Sequence, residues 1–146
     1  MNAAIKTQII SSAIDVMSKA LKRLSTENEC DTQNIQLVLK FDGQRVGYSY
    51  MKDYQKISDL TFNEILGVKF DFKQREFLTA PFIQKAIIRL AEEKGVDVNE
   101  MSSIILTKDK DADKVYILAY HNNEFYKQVS FNWLFDKPEE ILGNLG

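Results

Sequence analysis

The chain has one cysteine, one histidine, one tryptophan, two prolines and six glycines in 146 residues. Each scarcity closes off a kind of chemistry. Cys30 cannot form an internal disulfide, which fits a reducing compartment. Its neighbours Glu29 and Asp31 disfavour a thiolate, so it reads as a loop residue rather than a nucleophile. One histidine and one distant cysteine cannot supply the nitrogen and sulfur ligands of a zinc tetrahedron. His121 has no glycine-flanked serine near it, so no nucleophilic triad is in view. No Gly-x-Gly-x-x-Gly and no Gly-Lys-Ser/Thr phosphate loop occurs. No apolar run approaches the ~20 residues of a membrane-spanning helix. The first residues interleave Lys6, Gln8, Asp15 and Lys19 with their apolar neighbours, unlike a signal peptide. Neither charge sign dominates: 19 Lys and Arg face 21 Asp and Glu, for a net charge of −2. No global positive field therefore recruits nucleic acid or an anionic membrane. These absences lead us to expect a soluble cytoplasmic protein with no cofactor and no metal.

What is present is globular. Hydrophobic content of 45% with 27% charge suits one compact domain over residues 1–146. The abundance of Lys, Asn and Ile is what an AT-rich genome, such as that of a phage or mobile element, would encode. Ile5, Ile9, Ile10, Ala13, Ile14, Met17, Ala20, Leu21 and Leu24 recur at helical spacing, predicting an amphipathic helix over 3–24. Their stripe spans about 180°, wider than packing on one sheet face requires. The edge Ile10, Ile14, Met17, Leu21 and Leu24 has the 4-3-4-3 spacing of a coiled-coil seam. A second helix of the same domain or another chain would cover it. These five residues are the candidate interface for a protein partner or for self-association.

Downstream, "IQLVLKFDGQRVGYSY" predicts a hairpin around Asp42-Gly43, because a two-residue type I′ turn needs positive φ. That register opposes Phe41 with Gln44, Leu39 with Val46, Leu37 with Tyr48 and Ile35 with Tyr50. Residues 51–59 read as a polar loop. "DLTFNEILG" reads as a short helix capped by Asp59 or Thr61 with Glu64 placed for a capping box, and "VKFDFK" as a third strand. A helix opened by Thr79 and Pro81 ends at Gly95. "SSIILT" gives a fourth strand, 114–121 with 124–132 a second hairpin, and the C-terminal residues a short helical turn. No internal repeat is evident. The expected class is α+β, a mainly antiparallel sheet of about six strands covered by two longer helices.

The second hairpin contains His121, and a turn at Asn122-Asn123 opposes His121 with Glu124 and Tyr120 with Phe125. Continued without interruption, this register opposes Leu118 with Lys127 and Tyr116 with Val129. Tyr116, Leu118, Tyr120, Phe125, Val129, Phe131 and Trp133 then share one face, which we expect to be core. His121 falls on the other.

Two constellations suggest chemistry. Asp109, Asp111 and Asp113 alternate as in a calcium loop, but Lys114 replaces the required glycine and Tyr120 the closing glutamate. Tyr48, Tyr50 and Tyr54 interleave with Lys52 and Lys56 as in a stacking surface. The hairpin register puts Tyr48 and Tyr50 on the core face, leaves only Tyr54, and makes nucleic acid not the expected partner.

One enzymatic alternative remains. Helix 3–24, strands 35–41, 44–50 and 68–73, helix 81–94 and strand 102–107 follow the order α-β-β-β-α-β. With the acidic-x-Lys triplet Asp71-Phe72-Lys73, this resembles the core of restriction-endonuclease-like nucleases. The resemblance implies Mg²⁺ held by Asp71 and by Asp53 or Asp59, with Lys73 stabilising developing charge. The earlier aspartate lacks the usual Pro-Asp context. Without a complete catalytic motif, the primary expectation is a protein-binding or assembly module, a homo-oligomer or an accessory subunit.

Overall fold

The computed structural model describes residues 3–61, 64–65, 84–108, 110 and 114–130, the side chains of 3–9 and 12 excepted. Helix α1 runs Ala3–Glu27. Strands β1 (Ile35–Phe41), β2 (Val46–Lys52), β3 (Gln55–Leu60), β4 (Met101–Thr107), β5 (Val115–His121) and β6 (Glu124–Val129) follow, with helix α2 over residues 84–94 between β3 and β4. The strands form one antiparallel sheet in the order β3-β2-β1-β4-β5-β6. Both helices pack on the same face. Met17, Leu21, Ile87 and Leu90 meet Ile35, Leu37, Leu39, Ile105, Ile117 and Ala119 in a single core. This is the α+β architecture that the residue pattern predicts.

Three local readings need correction. The first hairpin closes with four loop residues, not two, and opposes Phe41 with Val46 and Leu37 with Tyr50. Asp42 explains the longer loop, because its Oδ1 accepts the N–H groups of Gln44 (2.9 Å) and Arg45 (3.0 Å). That side-chain-mediated turn needs positive φ only at Gly43. The shift is two residues, so every side chain keeps its face.

Residues 51–59 are not a loop. They complete β2, turn at Asp53-Tyr54 and form β3, a mostly polar edge strand that lacks apolar alternation. The predicted strand 68–73 lies outside the described residues. Of the two cap candidates, Thr61 is the one used: its N–H donates to Glu64 Oε1 (3.0 Å) and its Oγ1 accepts from the Glu64 N–H (3.2 Å).

The third correction concerns β5 and β6. The turn and the pairs His121·Glu124 and Tyr120·Phe125 are as expected, but Tyr126 is extruded as a bulge, so that Ala119 opposes Lys127 and Ile117 opposes Val129. The helices cover the Ile117, Ala119 and Val129 face. Tyr116, Leu118, Tyr120 and Phe125 lie on the opposite, outer face. Apolar residues occupy both faces of β5, so alternation alone could not say which would meet the helices.

The chain also contains a repeat that its strand sequences conceal. Residues 18–60 and 84–129 trace the same path of helix, 3-10 turn and three-stranded meander. Each helix ends in a Schellman motif with a left-handed residue, Glu29 (φ 53) or Gly95 (φ 77). The motifs are closed by Cys30 N–H to Ser25 O (3.0 Å) and Val96 N–H to Ala91 O (3.0 Å). Each 3-10 turn follows an aspartate, Asp31 or Asp97. Each meander has a two-residue turn with both φ positive, Asp53-Tyr54 or Asn122-Asn123. The first residue of each turn donates its N–H back to the 3-10 turn, Asp53 to Asn34 O (2.8 Å) and Asn122 to Glu100 O (2.9 Å). Even the bulges coincide, at Ile57 and Tyr126. The two halves join antiparallel through β1 and β4, and their local dyad passes through the pair Val38·Ile104. Along the paired strands and 3-10 turns, only Asp31/Asp97 and Val46/Val115 are identical.

Candidate functional site

Which surface remains for function follows from the fold. With both helices on one face, the outer face is lined by every second residue of each strand. Equivalent positions of the two halves can be compared there directly. At the dyad, Val38 and Ile104 match in character. Away from it the halves diverge: Lys40, Gly47, Ser49 and Lys56 in the first stand where the second has Leu106, Tyr116, Leu118 and Phe125. On the helix face the equivalents stay mostly apolar, as with Leu39/Ile105, Tyr48/Ile117 and Leu60/Val129.

The outcome is an asymmetric surface. In the second half, Leu106 is buried, Tyr116, Leu118 and Tyr120 are half-buried, and Phe125 is 59% exposed. The Tyr120 and Phe125 rings meet edge to face at 5.8 Å. Lys108 lies over the Tyr116 ring at 4.4 Å. In the first half, the small side chains leave a groove of about 710 Å³ that reaches from Lys56 and Asp59 across Val38 and Ile104 to Tyr120. A smaller hollow of about 360 Å³, lined by Arg45 and Asp42, shares its Lys40 and Gly47 wall.

Tyr54 borders the groove although it sits at φ 65, a conformation costly for a large aromatic residue. Its N–H donates to Oε1 of Gln36 (2.8 Å), a glutamine only 1% exposed, so the turn is pinned to β1. Burial raises the Tyr120 hydroxyl above the usual tyrosine range, and the nearby Tyr54 adds to the shift. Lys56 pairs with Asp59 at 2.9 Å, but both are too exposed for the pair to contribute much. Lys40 has no carboxylate partner among the described residues.

Other candidates are scattered. Met17, Leu21 and Leu24 of the proposed interface are 2%, 0% and 4% exposed inside the chain's own core, which leaves Ile10 and Ile14 half-buried at the edge of α1. Of the nuclease set, Asp71 and Lys73 lie outside the described residues. Asp53 is in the β2–β3 turn and Asp59 near the far end of β3, and the described residues contain no cluster of potential metal ligands. Of Asp109, Asp111 and Asp113, none is among them. His121 is turned toward Glu100, with Nε2 3.4 Å from Oε1, as well as opposing Glu124 in the ladder. Among the described residues no helix is long and apolar enough to cross a membrane. No family model, curated protein or solved structure matches the chain. Sequence reasoning missed the groove because its signal, Gly47 and Ser49 against Tyr116 and Leu118, appears only once the halves are superposed.

Proposed function

We propose that this is a cytoplasmic binding and assembly module without catalytic apparatus of its own, engaging protein as a homo-oligomer or an accessory subunit. One observation carries the reading: the outer face of the second half presents Phe125, 59% exposed, beside the half-buried Tyr116, Leu118 and Tyr120. Large apolar side chains clustered on a surface mark contact sites. Three strands, β4 to β6, spaced ~4.8 Å apart and ~7 residues long at ~3.3 Å each span roughly 330 Å². The half-buried Ile10 and Ile14 of α1 offer a second, smaller apolar edge.

Sedimentation velocity and light scattering across a wide concentration range test this. Self-association weakened by about tenfold or more in Phe125→Glu places the contact on the sheet, since a charge facing an apolar contact is strongly disfavoured. Loss in a folded Ile14→Asp instead places it on α1. A strict monomer at every concentration removes the homo-oligomer and leaves the accessory subunit. Incubated with plasmid and Mg²⁺, the protein is expected to leave DNA intact. Cleavage that disappears in Asp71→Ala would reverse the reading in favour of the nuclease.

A further inference from the structure

The groove lies mainly over the half that does not carry Phe125 and reaches Ile104, Tyr120 and Asn123 of the other, and its features point to a ligand of different chemistry. Side-chain bulk is missing there against the chain's own repeat, with Gly47 for Tyr116 and Ser49 for Leu118. The glycine is not needed by the backbone. Gly47 has no positive φ, and a Cβ there would meet only Lys40 O at 4.0 Å. It serves to keep the floor open. Lys40, equivalent to Leu106, adds an ammonium with no carboxylate partner among the described residues. Tyr54 holds an aromatic ring at a strained turn position where the other half uses Asn123 (φ 70). Strain of this kind persists where function requires it. The groove's volume, about 710 Å³, lies within the range of small-molecule sites.

We propose that this groove binds a small planar anion, an aromatic ring carrying a carboxylate or phosphate. The ring rests on Val38 and Ile104 between Tyr54 and Tyr120, and the charge is taken by Lys40. Tyrosine walls suit an aromatic ring, and an exposed ammonium with no carboxylate partner among the described residues suits an anion. This goes beyond the protein-binding reading and does not depend on it.

The test is a fluorescence titration of the full-length protein with anilinonaphthalene sulfonate as probe, with benzoate and a purine mononucleotide as competitors. Each variant imports the residue that the second half carries at the same place. Saturable one-site binding is expected, displaced by benzoate if the natural anion is a carboxylate and by the nucleotide if it is a phosphate. Lys40→Leu weakens it about tenfold, the loss of one charge-assisted contact. Gly47→Tyr abolishes it, and Tyr54→Asn weakens it severalfold while raising the urea midpoint. Lys22→Gln, at an exposed position of α1 on the other side of the sheet, leaves it unchanged. Absence of saturable binding, no displacement by either competitor, or unchanged affinity in the Lys40→Leu and Tyr54→Asn variants overturns the proposal. Circular dichroism monitors folding, and if Gly47→Tyr does not fold, the exposed Lys40 position decides.

Discussion

Glu29 and Gly95 do the same work at the ends of α1 and α2, closing a Schellman motif in the left-handed region, with φ of 53 and 77. Glycine does so without a Cβ clash, whereas an L-residue there is destabilised by ~1 kcal/mol. Glu29→Gly is therefore expected to stabilise the fold by about 0.5–1 kcal/mol, offset in part by the greater entropy of the unfolded chain. Urea denaturation checks this, with a higher midpoint at unchanged slope as the expected outcome. Gln36 is a second telling residue. Leucine there would keep the packing but strip the Tyr54 N–H of its acceptor, and losing this part-buried hydrogen bond costs about 0.5–1.5 kcal/mol. Neither role is visible in the sequence, where Glu29 and Gln36 look like ordinary polar residues. Gly95, by contrast, was legible, because glycine after a helical run has one common meaning.

Among elements, the hairpins show how far local rules reach. The Asn122-Asn123 turn and its first two pairs follow from asparagine's tolerance of positive φ. The bulge two pairs further on does not, and it moves Val129 to the helix face. The outermost ladder on each side of the sheet carries such a bulge, next to edge strands β3 and β6. Bulges and charged side chains on β3 discourage edge-to-edge pairing. The second meander is further clipped to its 3-10 turn. Glu100 accepts the Asp97 N–H at 3.0 Å and the Asn122 side-chain amide at 3.2 Å, and lies 3.4 Å from His121. The backbone bond from Asp97, then the Asn122 bond, hold the Glu100 carboxyl below the usual glutamate range. Its folded pKa is thus lower than its unfolded one. The clip contributes fully above the unfolded value of about 4.3 and is lost as pH falls through the folded one. Glu100→Gln should accordingly flatten the acid limb of a stability–pH curve, measured by urea midpoints from neutral pH down to the acid transition. An unchanged limb would assign the acid sensitivity to other carboxylates.

For the whole molecule, the two halves form one sheet and one core, so they should unfold together. β1 and β4 pair on both sides and carry residues such as Leu37 (0% exposed) and Ile105 (3%). Native-state hydrogen exchange is expected to find their amides slowest and those of edge strands β3 and β6 fastest, since edges open first. Separate unfolding of the halves would appear as two exchange classes divided at the β1–β4 seam. The same dyad explains why the candidate site is asymmetric: the helix-facing positions of both halves stay mainly apolar to fill one core, while the outer positions were free to diverge.

The sequence by itself determined the two longer helices, most strands and the first hairpin's faces. Those depend on periodicity, caps and residue type, which are local. Tertiary structure alone decided that 55–60 is a strand, because its pairing with β2 stabilises residues that have no apolar alternation of their own. It also decided which face of β5 is buried, because both faces are apolar and only contact with the helices distinguishes them. And it revealed the repeat. The helix ends share Lys19/Lys85, Ala20/Ala86, Arg23/Arg89, Leu24/Leu90 and Glu27/Glu93, but the strands have hardly a residue in common and fold alike because their turns, hydrogen bonds and core-facing positions agree.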